Sequence, residues 1–179
     1  YISGYYYIGT QTIPGYWKNG QWSGYDLAPG AVYSMGLITL IHNGDVYSIS
    51  GSYNSSFQYI SGYWKNTQWV NLNSPESAIA SIFGFIGSDM YISGHILKTS
   101  GEYVPGYWKN AQWTPYQVLD IEKTAYAFCT EFLGGNVYST GYCNDSSDAR
   151  IPGYWKNTAW TSLPHPGFGG QTYNIYFIR

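Results

Sequence analysis

The sequence predicts an all-β fold, a four-bladed β-propeller with four antiparallel strands per blade, closed by the C-terminal strand completing the first blade. Three observations predict it. A nine-residue phrase returns four times, as "PGYWKNGQW" from Pro14, "SGYWKNTQW" from Ser61, "PGYWKNAQW" from Pro105 and "PGYWKNTAW" from Pro152. Its copies start 47, 44 and 47 residues apart, a period that marks a repeat architecture. No segment carries a capped 3.6-residue apolar period, so helices are not expected.

Each repeat reads as four short strands, A to D. Strand A is "AVYSMGLITLI", "SAIASIFGFI" or "TAYAFCTEFL", with a fourth copy in the terminal "QTYNIYFIR". Asn43-Gly44-Asp45, Gly87-Ser88-Asp89 and Gly134-Gly135-Asn136 follow the first three as hairpin turns. Strand B carries a Tyr-x-x-Gly phrase at Tyr1, Tyr91 and Tyr138, and a looser copy at Tyr47. A polar loop then leads to strand C, "GYWK". Proline cannot donate to a ladder, so strand C is expected to start at Pro14, Pro105 and Pro152.

Asn19-Gly20 is the preferred pair for a type I′ turn. That turn sets Lys18 opposite Gln21 and Trp17 opposite Trp22, giving a hairpin closed by two facing indoles. Asn66-Thr67, Asn110-Ala111 and Asn157-Thr158 suit φ > 0 less well, and a different turn there would shift the register by one. Tyr16 and Trp17 point to opposite faces, so both faces of strand C want burial, as in a blade packed between neighbours. The chain starts inside strand B and stops inside strand A. "QTYNIYFIR" would therefore supply the missing strand of the first unit, making residues 1–179 one domain of four 44–47-residue repeats.

The Tyr-Trp-Lys-Asn phrase with Tyr-x-x-Gly upstream resembles uncharacterised bacterial repeat proteins of spirochaetes and Bacteroidetes that share a YWK(N/D)G hairpin. The resemblance covers essentially the whole chain. It implies a secreted or surface-anchored propeller and carries over no catalytic residue.

Composition bounds the function. Only 10% of residues are charged and the net charge is −2, with no basic stripe, which argues against nucleic acid as a partner. No apolar run approaches a membrane span. Few charges, many Tyr and Trp, and Ser/Asn/Gly/Thr filler suit an extracellular or cell-surface protein. The start at Tyr1 fits a removed leader or an excised domain. "NSS" at Asn54 and "NDS" at Asn144 match the glycosylation sequon, which chance also supplies in such a chain.

Catalytic patterns are missing. The ten acidic residues do not recur with the repeat, and His42, His95 and His165 fall at different repeat positions. The expectation is a non-enzyme without cofactor or metal. "NDSSDAR", from Asn144, has oxygen ligands at a spacing that suits Ca²⁺ but lacks the EF-hand Gly and Glu, and reads as a solvated loop. Cys129 and Cys143 face each other one residue out of register across strands A and B. A bulge would allow a disulfide; otherwise they are two small buried hydrophobes.

The Trp phrase has two readings, packing between blades or a platform for sugar rings, and packing is favoured because a platform of every Trp would leave the blades little to pack. A ligand surface is expected in the B–C loops, where the copies differ. The residues after the strand B glycines are the candidates: Tyr5, Tyr6, Tyr53, His95 and Tyr142. A glycan or protein ligand, bound without chemistry, is the expected partner. Self-assembly into a surface layer, filament or larger secreted protein is the alternative.

Overall fold

The structure, a computed structural model, describes residues 1–74, 76–167 and 169–177, and only the backbone of Leu37. It is all-β, with no helix among the described residues and four antiparallel sheets. The chain divides into two compact units, Tyr1–Ser81 and Ile82–Arg179, the division falling within one strand.

The first unit opens with β1 (Ile2–Ile8), β2 (Gln11–Lys18) and β3 (Gln21–Gly24), a three-stranded sheet in that order. Its second sheet runs β4 (Tyr33–His42), β5 (Asp45–Tyr53), β7 (Gly62–Lys65) and β8 (Gln68–Asn71), with β6 (Tyr59–Ile60) also on β5. The edge strand β4 packs on β1 and β2, and its Ser34 N–H donates to Thr12 Oγ1 at 3.2 Å. The second unit takes up the next sheet within β9 (Ser77–Ile86), followed by β10 (Asp89–Leu97), β11 (Tyr103–Lys109) and β12 (Gln112–Pro115). Its last sheet is β13 (Ala125–Leu133), β14 (Asn136–Asn144), β15 (Arg150–Lys156) and β16 (Ala159–Ser162).

All four phrases form the same hairpin. Trp17 faces Trp22, Trp64 faces Trp69, Trp108 faces Trp113 and Trp155 faces Trp160. The register therefore does not slip in the Asn-Thr and Asn-Ala copies. Asn66 and Asn157 alone take positive φ (56° each) in their turns, whereas Asn110 and Ala111 both do (47° and 66°). The asparagine holds the turn against the neighbouring hairpin. Asn66 Oδ1 accepts from Val46 N–H at 3.0 Å while its Nδ2 donates to Asp45 at 2.9 Å. Asn110 does the same with Met90 and Asp89, and Asn157 with Val137 and Asn136.

The lysine and both tryptophans have equally fixed places. Lys18, Lys65, Lys109 and Lys156 each lie over the first tyrosine of the Tyr-x-x-Gly phrase, 5.4–5.8 Å from its ring centre. Lys65 and Lys109 also pair with Asp45 and Asp89 of the hairpin turn, at 2.9 and 2.8 Å. In three copies the first tryptophan is buried: Trp64, Trp108 and Trp155. Trp64 stacks on Tyr25 at 4.8 Å and Trp155 on Tyr116 at 5.2 Å, each tyrosine arriving from the preceding strand D. Those hydroxyls hydrogen-bond Ser48 and Ser139 of strand B, at 2.8 and 2.7 Å. The second tryptophan is half-buried over the glycine of "GYWK". A Cβ on Gly15 or Gly106 would lie 2.7 Å from the ring of Trp22 or Trp113, so only glycine seats this indole. Gly106→Ala should therefore cost about 1–3 kcal/mol through overpacking, read from the denaturant midpoint of unfolding.

Four expectations need correction. Pro14, Pro105 and Pro152 lie inside their strands rather than at the start. Their carbonyls accept from Tyr25, Tyr116 and Leu163 just past the last ladder pair with strand D, so the absent N–H on the same side leaves no gap in the ladder. Strand B is longer than expected, and what was read as loop is strand. Residues 171–177 of "QTYNIYFIR" form no strand, and Ile178 and Arg179 lie outside the described residues. Thr172 instead donates to the Gly141 and Gly153 carbonyls at 2.9 and 2.7 Å, with Tyr173 against Phe128 and Phe177 against Tyr138. Lastly, the cysteines are not one residue out of register, and both are free thiols, one of the two readings the sequence leaves open. The turn falls at Gly134-Gly135 and the bulge lies between Ala127 and Cys129, so Cys129 pairs with Thr140 and Cys143 with Ala125. Burial pushes the Cys143 thiol up to about 12, which keeps it protonated and inert.

Candidate ligand-binding surface

Three B–C loops share one plan. Asn54 N–H donates to the Gln58 carbonyl and Phe57 N–H to the Asn54 carbonyl, each at 3.0 Å. Lys98, Gly101 and Glu102 repeat this geometry, as do Asp145, Asp148 and Ala149. Asn54 Oδ1 also accepts from Ser56 and Gln58 N–H, and Asp145 Oδ1 from Ser147 and Ala149 N–H, so a short polar side chain organises these two loops. Asp145 is thus spent on its own loop and its carboxyl is held low, first by the Ser147 hydroxyl. Among the described residues no group of three His, Cys, Asp or Glu is placed to hold a metal ion.

The fourth loop position must take positive φ. Gly101 does so at 103° and Asp148 at 65°, both tolerant residues. The second repeat has Phe57 there, at φ 59° and 87% exposed. A bulky residue in this conformation costs roughly 1–2 kcal/mol, and its exposed ring returns almost nothing in burial.

Phe57 lines a cavity of about 270 Å³ with Val32, Tyr33, Tyr53 and Asn54. Val32 is itself 57% exposed. Tyr53 lies 6.1 Å from Tyr33 and 4.5 Å from Tyr59, ring centre to ring centre. A hydrogen bond with Tyr59, together with burial, pushes the Tyr53 hydroxyl up to about 12. Tyr5 hydrogen-bonds Tyr7 and Tyr33, and the bond to Tyr7 raises its hydroxyl too. Both are uncharged phenols at neutral pH, and the surface is aromatic and neutral.

The second unit closes the corresponding place. Thr39 and Thr130 are counterparts, bonded to Ser48 and Ser139 at 2.6 and 2.7 Å. Counting back from them, Lys123 stands where Val32 does, and Asp148 where Phe57 does. These two form an ion pair at 2.8 Å. One scaffold position is an open apolar hollow in one unit and a salt bridge in the other.

The five candidates scatter relative to this surface. None is in a loop: Tyr5 and Tyr6 lie in β1, Tyr53 ends β5, His95 is in β10 and Tyr142 in β14. Tyr5, His95 and Tyr142 share one register position, opposite Pro14, Pro105 and Pro152. Tyr5 and Tyr53 converge on Tyr33. Tyr6 points to the other face and packs edge-on to Trp22 at 5.1 Å. His95 and Tyr142 are buried in the second unit. His95 stacks on Tyr126 at 3.8 Å and its Nε2 accepts from Ala127 N–H at 3.1 Å. Tyr142 lies under the Arg150 guanidinium at 4.7 Å. Val32, Tyr33, Phe57 and Tyr59 were not foreseen. The signal was Phe57, an aromatic where the matching loops carry Gly and Asp.

No family model and no curated protein matches the sequence. Among solved structures the chain is similar to a fucose lectin from Kordia zhangzhouensis, determined in complex with methyl-fucoside. The match has 14% identity and a TM-score of 0.49, covering 72% of this chain and 98% of the lectin. The ligand of that lectin is a statement about that protein alone.

Proposed function

We propose that the chain is a non-catalytic binding module, recognising a glycan or protein outside the cell through the aromatic surface around Tyr53 and Phe57. The observation that carries this reading is Phe57 itself. A strained, exposed phenylalanine contributes little to the fold, yet it walls an apolar cavity that the equivalent loop fills with an ion pair. Strain of this kind persists where the surface has work to do. In this reading the four repeats are the four blades of a propeller of the YWK(N/D)G type. Tyr5 and Tyr53 then contribute to recognition, whereas Tyr6, His95 and Tyr142 support the sheets.

Phe57→Gly separates fold from function. Glycine relieves the positive φ, so the variant should melt no lower than the parent. Its binding to ligands found on a glycan array or by protein capture should fall at least tenfold. Undiminished binding would sink the proposal.

The open edge of β1 favours a second reading, as an assembly module. Among the described residues β1 pairs only with β2 in its sheet and exposes Ile2, Tyr7 and Ile8, the profile of a strand that accepts another. Sedimentation over a hundredfold concentration range distinguishes the two, a constant monomer favouring the first.

A further inference from the structure

We infer that the ligand is a saccharide of at least two rings, seated across the Phe57 cavity and a second, polar cavity beside it; this rests on the binding-module reading above. The second cavity holds about 210 Å³ and is lined by Tyr59, Ser61, Asn71, Ser74 and Glu76, among others. Tyr59 joins the two: it lines the polar cavity, and its ring lies 4.5 Å from Tyr53, which lines the apolar one. Neither cavity alone reaches the ~300–1,000 Å³ of ordinary small-molecule sites, and together they do.

The two linings differ in chemistry. The first offers tyrosine and phenylalanine rings with a valine, matching the C–H face of a pyranose. The second offers hydroxyl, amide and carboxylate groups. Ser61 donates to the Ala78 carbonyl and Ser74 to the Glu76 carbonyl, so each hydroxyl oxygen keeps acceptor capacity. A carboxylate such as Glu76 accepts from two neighbouring sugar hydroxyls at once. An apolar peptide side chain would suit the first cavity but not the second.

The second repeat departs from the others at these positions. Ser61 replaces the proline found at Pro14, Pro105 and Pro152, interrupting strand C between β6 and β7. Phe57 replaces Gly101 and Asp148. Glu76 stands where Lys123 stands in the last repeat, each directly before the counterpart residues Ser77 and Thr124. Two departures in one copy, Phe57 and Ser61, and Glu76 at the start of the next sheet lie around Tyr59.

The test uses the whole chain and an array of mono- and disaccharides. The best-bound disaccharide should bind at least tenfold tighter than its terminal monosaccharide. Glu76→Gln should remove most of that advantage, and Phe57→Gly should weaken both ligands at least tenfold. If Phe57→Gly acts but Glu76→Gln leaves the disaccharide advantage intact, the two-cavity inference falls and the binding module stands. If neither variant changes binding, both fall. Binding of apolar peptides with no saccharide bound overturns the inference alone.

Discussion

Trp64→Ala should lower the unfolding free energy by about 3–5 kcal/mol, the cost of emptying a large buried aromatic site. Trp64 is 1% exposed and packed between Tyr25 at 4.8 Å and Trp69 at 4.8 Å. Its removal leaves both partners facing a void and loosens the Tyr25 hydroxyl from Ser48. The loss should appear in the denaturant midpoint with or without ligand. Tryptophan emission from the parent should be blue-shifted and poorly quenched by acrylamide for the three buried indoles, Trp64, Trp108 and Trp155. A variant that keeps its stability but loses sugar binding would make the phrase a stacking platform instead.

Acid should destabilise the protein well before its carboxylates titrate. Burial pushes the His95 imidazole down to about 4 from its ordinary 6.5. Its Nε2 accepts the Ala127 N–H, and a proton there would set two donors against each other. Nδ1 carries the proton of the neutral ring and has no hydrogen-bond partner among the described residues. With the folded value below the unfolded one, the unfolded chain binds a proton that the folded chain refuses. Stability is therefore full above pH 6.5 and falls as the pH drops from about 6.5 to 4, by about 3 kcal/mol in all. Denaturation at pH 7.5 and 4.5 measures this, and His95→Gln should flatten that part of the profile. An unchanged slope in the variant would assign the acid sensitivity elsewhere.

The sequence carried the hairpins well because their chemistry is local. Asn-Gly specifies its own turn, and the Lys, Trp and Gly of the phrase meet partners set by strand register. The Asn-Thr and Asn-Ala turns kept that register through a contact no turn rule contains, the asparagine's bonds to the adjacent hairpin. The site was legible only in part. Tyr5 and Tyr53, chosen because the copies differ after the strand B glycines, lie beside the Phe57 cavity or line it, yet strand B runs further than its glycine suggested, which carried His95 and Tyr142 into the interior. Their identities alone do not separate a buried ring from a presented one. Phe57 stood in plain sight, but its meaning needs the backbone angle and the Gly and Asp of the matching loops. The end of the chain was misread for a different reason. Alternation matched strand A, while Thr172 found two carbonyls on β14 and β15.

The asparagine bonds of the repeated phrase have a consequence for how such a chain comes to exist. Asn66 reaches residues 20 and 21 positions back, Asn110 and Asn157 likewise, and every one of those partners belongs to the same sheet. Each of these three sheets thus carries its own locking contacts at short sequence separation, the condition under which chains fold fast and repeats nucleate separately. A stretch of DNA encoding one such unit can be copied in tandem without breaking what holds it together, and a copy is then free to vary at a loop tip, as the one bearing Phe57 has done.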